Sequence, residues 1–233
     1  QVKFEAGSLP AKWFSGGPEC ATFTDDFQVH PYNENFYILR QSGCVNTEKP
    51  FLYLLFGKDR AILFDTGAGD DTDSTTGRVP NVVGAVDQVI NQWLARNNRQ
   101  SIPLVVTHLP SHAEHVWGDF QFVKRPATPL VKPDDLETLK RFFGITRWPE
   151  QTVTYDLGGR ILDIIPAPGH DATSIAVYDR QTAVLLTGDF VYPGRIYVNE
   201  PDPRVMQASL QRLVDFTSSR PVAHVLGSHV EQR

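Results

Sequence analysis

The 233-residue chain has no extended run of Lys or Arg, no apolar stretch long enough to cross a bilayer, and only two cysteines. Its 27 acidic and 22 basic side chains leave a formal net charge of -5. A nucleic-acid groove or an anionic membrane surface calls for the opposite balance, so both classes of partner are disfavoured. The longest apolar runs, such as "FLYLLF" at 51–56, are strand-sized, whereas a bilayer span takes about 20 residues. Cys20 and Cys44 stand too far apart for a C-x-x-C redox pair. They are either two buried thiols or a disulfide stapling the N-terminal segment in an oxidising compartment, and both readings stay open. The chain opens at Gln1 without an initiator Met. A removed leader or a trimmed end would each explain this, and a removed leader would place the protein in a periplasm or outside the cell.

What the chain does have is apolar residues, 41% of the total, enough for a substantial core in one domain covering 1–233. Strand-like and helix-like segments alternate in two rounds. Up to about Asp25 the pattern is irregular, with Gly16-Gly17-Pro18 marking a turn. The segments 34–41, 51–57 and 61–67 read as strands, with Lys58-Asp59 as a hairpin turn between the last two. A polar stretch over 67–79 follows. Val82, Val83, Val86, Ile90, Trp93 and Leu94 then recur at helical spacing, and "RNNRQ" ends that helix. "PLVVTH" at 103–108 reads as a short buried strand. A helix is expected from Asp134 to Phe143, with Pro133 before it and Gly144 beyond. The second round brings "QTVTYDL", a Gly158-Gly159 turn, "RILDIIPAPG", "SIAVYD" and "AVLLTGDF" as strands. A helix near 203–218 and the strand "AHVLGSH" complete it.

Histidines and acids collect where these strands give way to loops: His112 and His115 in "THLPSHAEHVWGD", His170 in "APGH", Asp189 in "LLTGD" and His229 in "VLGSH". Imidazole and carboxylate ligands drawn from several strand ends into one hollow suit a borderline-soft metal such as zinc. His30 and His224 lie away from these loops and read as structural.

The order "FDTG", a His-rich T-H segment, "PGH" before a strand, "LLTGD" and a late "GSH" resembles the metallo-β-lactamase superfamily, over about residues 51 to 230. The resemblance implies an α/β fold, a four-layer αββα sandwich, with a one- or two-metal site along one edge of its sheets. It implies hydrolysis of lactams, lactones, thioesters or phosphodiesters, or in some members redox chemistry.

Position by position, the resemblance shows two departures. The family's T-H-x-H-x-D-H segment aligns its second and third histidines with His112 and His115, its first with Pro110 and its Asp with Glu114. Proline offers a metal no donor atom. Glutamate keeps the carboxylate on a longer arm, and zinc–oxygen bonds of about 2.0–2.2 Å leave little slack. His108 either fills the vacancy in a rebuilt loop or caps its strand without touching metal.

The carried-over ligands are His112, His170 and Asp189 for one position, and His115, Asp189, His229 and Glu114 for the other. The second set is fuller, so zinc is expected as one or two ions with one position weakened; iron or manganese are the alternatives. Asp65 in "FDTG" corresponds to an acid that would hydrogen-bond a ligand histidine and fix its tautomer. Tyr192 stands where lactone-hydrolysing members carry a tyrosine, able to donate to a carbonyl gaining charge. Trp117 and Phe120 read as pocket wall or core.

The implied function is a zinc hydrolase acting on a small ester or lactone through a metal-bound hydroxide, with Asp189, Glu114 and Tyr192 as catalytic groups. A tyrosine near the place of the lysine found in many zinc β-lactamases argues against strong β-lactamase activity, which leaves a weak one as an alternative. "VEQR" after the last motif is too little for the helical domain with which hydroxyacylglutathione hydrolases bind glutathione. The alternative from another class is a non-catalytic binding protein with an eroded metal site, motivated by Pro110 and Glu114. A small molecule is the expected partner.

Overall fold

Two five-stranded sheets organise the chain, each in a unit of its own, in the computed structural model, which describes residues 4–69, 79–133 and 135–230. Most of the expected loop at 67–79, and Asp134, lie outside the described residues. Among the described residues no helix is long and apolar enough to cross a membrane.

The amino-terminal unit takes residues 7–107 and 112–130. Its sheet runs in sequence order through β1 (Phe27–Asn33), β2 (Phe36–Gln41), β3 (Phe51–Phe56), β4 (Ala61–Phe64) and β5 (Leu104–Thr107). The first four strands pair antiparallel, and β5 runs parallel to β4. A parallel neighbour needs a crossover, and α1 (Val82–Arg96) supplies it. Asn81 caps this helix by accepting the Gly84 amide at 3.0 Å. Val82, Val86, Val89, Ile90 and Trp93 form its buried stripe, packed on Leu52, Leu54, Phe56 and Leu63 of the sheet. Every residue of β2, β3, β4 and β5 is buried, which is why these strands read as apolar runs, interrupted only by Arg40 and Gln41 at the end of β2 and Thr107 at the end of β5.

β1 was not among the expected strands. It holds Pro31 mid-strand, where a ladder donor is missing, and the register shifts just after it. The strand sits at the sheet's edge, the position that tolerates proline.

The carboxy-terminal unit takes residues 108–111 and the chain from 131 onward, with a short piece up to Ala6. Its sheet has the order β10-β9-β8-β7-β6, from β6 (Val153–Asp156), β7 (Ile161–Pro166), β8 (Ile175–Asp179), β9 (Val184–Gly188) and β10 (His224–Gly227). Asp156 closes the Gly158-Gly159 turn by accepting both glycine amides, at 2.8 and 2.7 Å. β10 lies parallel to β9, and α4 (Pro203–Thr217) bridges them. Pro203 opens that helix behind the Asp202 cap. Met206 and Leu213 bury its inner face on Ile165, Ala176, Tyr178 and Leu185. The helix expected from 134 is Leu136–Phe143, capped by Asp135 and ended by Gly144 in the left-handed conformation. This helix is α3, and a shorter one, α2 (Ala113–Val116), lies in the histidine segment.

Cys20 and Cys44 form a disulfide, with Cα atoms 5.5 Å apart. It ties the irregular entry segment to the loop after β2, where Gln41 and Asn46 clamp the turn beyond β4. Gln41 accepts the Ala68 amide and donates to the Ala68 carbonyl, and Asn46 donates to the Gly69 carbonyl. Replacing either cysteine with serine is expected to lower unfolding free energy by about 2–4 kcal/mol, measured by urea denaturation. An unchanged midpoint would show that the entry segment contributes nothing to stability.

Candidate metal centre

In the amino-terminal unit the site is built at the ends of β4 and β5. Asp65 follows β4 in a left-handed conformation, φ 69°, rare for a residue with a Cβ. Its amide donates to the Thr107 carbonyl at 2.9 Å, which fixes the turn. Its carboxylate accepts the Nδ1 proton of His115 at 3.0 Å, with both side chains fully buried. Thr66 holds the same histidine from the other side, its amide donating to the His115 carbonyl at 2.7 Å. Its hydroxyl reaches Asp119 at 2.9 Å. With Nδ1 engaged by Asp65, Nε2 is the ring nitrogen left for a metal.

α2 is a single turn, so His112, Glu114 and His115 stay close. Glu114 Oε1 lies 3.8 Å from His115 Nε2 and 3.9 Å from His112 Nδ1. Both Glu114 and His112 are part-exposed.

In the carboxy-terminal unit a carboxylate stands between two imidazoles. Asp189 Oδ2 is 3.4 Å from His170 Nε2, and Asp189 Oδ1 is 3.4 Å from His229 Nε2. All three side chains are buried. These separations exceed the usual N–H···O range of about 2.7–3.2 Å. They match the roughly 3.3–3.4 Å edge of a tetrahedron whose donors lie about 2.0–2.1 Å from a central ion. His170 donates its Nδ1 proton to the Tyr197 carbonyl at 3.0 Å, which leaves Nε2 as the ring nitrogen available to a metal. Imidazole nitrogens with fixed tautomers and buried carboxylate oxygens are the donors a borderline-soft divalent cation takes, and the residues present fit one.

Backbone packing holds these side chains in place. Gly169, before His170, has φ 147°, and a Cβ there would stand 2.7 Å from the Met206 Cα of α4. Ser209 of α4 donates to the Pro168 carbonyl at 2.7 Å. Gly188, before Asp189, has φ 54°, and a Cβ there would meet Leu109 Cβ at 2.9 Å. Glycine is the residue both positions admit.

The remaining candidates fall into place around this. His108 is buried at the end of β5 and, among the described residues, is not one of the clustered donors. Pro110 packs near Gly188. Tyr192 is buried, its ring edge-on to His229 at 5.8 Å, and its hydroxyl donates to the Arg195 carbonyl. A phenol has one proton, so in this arrangement what Tyr192 contributes to the site is its ring. Trp117 lies against Gly69 and edge-on to Phe120, which is 58% exposed and therefore no core residue. His30 accepts no metal role: its Nε2 donates to the Ser8 carbonyl at 2.7 Å. His224 is part-buried within β10. Sequence reasoning passed over Thr66, Asp171 and Tyr197. The first two carried a faint signal, a hydroxyl beside "FD" and an acid beside a ligand histidine, whereas Tyr197 acts through a carbonyl that every residue has.

The family model described as "Metallo-beta-lactamase superfamily" matches residues 48–222. The acyl-coenzyme A thioesterase MBLAC2 of Bos taurus is 24% identical over 207 residues, covering 76% of this chain and 72% of its own. The metallo-β-lactamase from Pontibacter korlensis superposes with a TM-score of 0.58 at 20% identity, covering 88% of this chain and 92% of its own. The metallo-β-lactamase FIM-1 from Pseudomonas aeruginosa, in its mono-zinc form, gives a TM-score of 0.59 at 12% identity, with 88% of each chain covered. At such identities the structural likeness establishes the fold, two mixed sheets with flanking helices. With three quarters of its length matched by the family model, the chain belongs to the metallo-β-lactamase superfamily.

Proposed function

We propose that this protein is a metal-dependent hydrolase of a small acyl substrate: an ester, a thioester or a lactone. The observation that carries the reading is the buried Asp189 carboxylate, 3.4 Å from an imidazole nitrogen on either side. Curated relatives are named for hydrolase activities, and the one named for acyl-coenzyme A thioesterase activity favours an acyl carbon over a phosphorus centre.

In this reading the candidate metal donors, as the family resemblance implies, are His112, Glu114 and His115 of the amino-terminal unit and His170, Asp189 and His229 of the carboxy-terminal unit. A bound divalent metal supplies Lewis acidity and makes hydroxide available near neutral pH. Around it, Asp65 and the Tyr197 carbonyl keep the ligand imidazoles in one tautomer. Glu114, on a longer arm and part-exposed, is the group that takes up the attacking water's proton and returns it to the leaving group. Asp189 is buried and serves as a ligand. Tyr192 braces the His229 ring. Pro110 and Glu114 favour a second reading, a binding protein of the same fold without turnover.

Elemental analysis of protein purified without added metal should find at most one tightly held ion per chain, zinc being the first expectation. Turnover of a panel of thioesters, esters, lactones and cephalosporins should vanish on chelation and return on metal addition. Two tightly retained ions would contradict the weakened position, and a metal-free chain without turnover would select the binding protein. Replacing Asp65 with alanine should weaken metal binding about 10–100-fold in a chelator competition. Asp65→Asn should lose less, because asparagine can accept the same proton and tolerates the left-handed backbone. Equal affinity in all three proteins would remove Asp65 from the account.

A further inference from the structure

The segment from His108 to Ser111 leads into His112 and carries Pro110 where the family's first ligand stands, yet it is firmly held within the carboxy-terminal unit. Three contacts do this, and none involves a metal. The Leu109 carbonyl accepts the Ile175 amide at 2.9 Å. Leu109 and Pro110 pack where a side chain at Gly188 would otherwise sit. The Ser111 amide donates to Asp171 Oδ2 at 2.6 Å.

Asp171 is the centre of this arrangement. It follows the ligand His170 directly, is about nine-tenths buried, and uses both carboxylate oxygens. Oδ1 accepts the Thr173 amide at 2.8 Å and the Thr173 hydroxyl at 3.1 Å, while Oδ2 takes the Ser111 amide. Its own carbonyl accepts the Gly169 amide at 3.1 Å, closing the turn that displays His170. One side chain thus fixes the turn bearing His170 and the residue preceding His112. An ionised carboxylate bonded to backbone N–H groups makes hydrogen bonds roughly twice as strong as neutral pairs.

We propose that Asp171 is a positioning residue that stands in for the missing ligand at position 110. It holds the loop before His112 by a protein contact where a metal–imidazole bond would hold it in a chain with histidine there. The inference rests on the metal reading above and adds to it a specific consequence: the loop is ordered before any metal arrives. A loop held only by its metal bonds would loosen on chelation; this one keeps its bond to Asp171.

The test uses the full chain, with and without Zn²⁺, in two readouts. Hydrogen exchange at the Ser111 amide should be slow in chelated wild-type protein and at least ten-fold faster in Asp171→Ala. Zn²⁺ affinity, measured against a chromophoric chelator, should fall about 10–100-fold in Asp171→Ala, as for other partners that orient ligands. Asp171→Asn keeps the size and the Thr173 contacts but turns an amide toward Ser111. It should therefore show fast Ser111 exchange and weaker binding, and it covers the case in which the alanine variant fails to fold. A fast-exchanging Ser111 amide in chelated wild type would overturn the proposal, as would variants that bind Zn²⁺ like wild type. A wild-type chain that takes up no Zn²⁺ would instead overturn the metal reading itself, and this role with it.

Discussion

A proton on Nδ1 of His115, held by a fully buried carboxylate 3.0 Å away, is the constraint on which the proposed chemistry depends. An imidazole can offer a metal only the nitrogen that lacks a proton, so whoever holds Nδ1 decides what Nε2 can do. The same logic recurs at His170, where a backbone carbonyl takes the place of the carboxylate. The two histidines differ in consequence. An anionic partner raises the basicity of the ring it holds more than a neutral carbonyl does. In the proposed reading, this is the reason to assign His115 to the better-held metal position.

The fold exists to make these contacts rigid. Asp65 and the candidate ligands His170 and Asp189 follow strands whose residues are almost all buried, so those strand ends cannot drift without opening the core. Asp65 accepts a left-handed backbone because Thr107, Thr66 and His115 over-determine its place. Gly169 and Gly188 let a helix backbone and a loop approach closely beside His170 and Asp189. The disulfide and the Gln41 and Asn46 clamps brace the turn that continues from Asp65.

Much of this was legible in the sequence because burial writes itself as composition. β2 to β5 are apolar at nearly every position, and β7 to β9 are almost as uniform, so their runs stand out. The ligands stand out for the opposite reason, as polar residues following such runs. β1 was invisible because an edge strand with a proline carries neither signal. The state of Cys20 and Cys44 could not be read, since two cysteines separated by a loop look alike bridged or free. Asp171 carried only the faint signal of an acid beside a histidine, and the hold on His170 comes from a main-chain oxygen with no residue signature. For Tyr192 the position was readable, but not the carbonyl of Arg195 that takes its proton.

Nitrogen-15 spectroscopy of the histidine side chains, recorded before and after adding Zn²⁺, tests the tautomer constraint most directly. The account predicts His115 and His170 rings protonated at Nδ1 in the metal-free and the metal-bound protein, with only their Nε2 resonances moving strongly on metal addition. Rings protonated on Nε2, or Nε2 signals that ignore the metal, would contradict it.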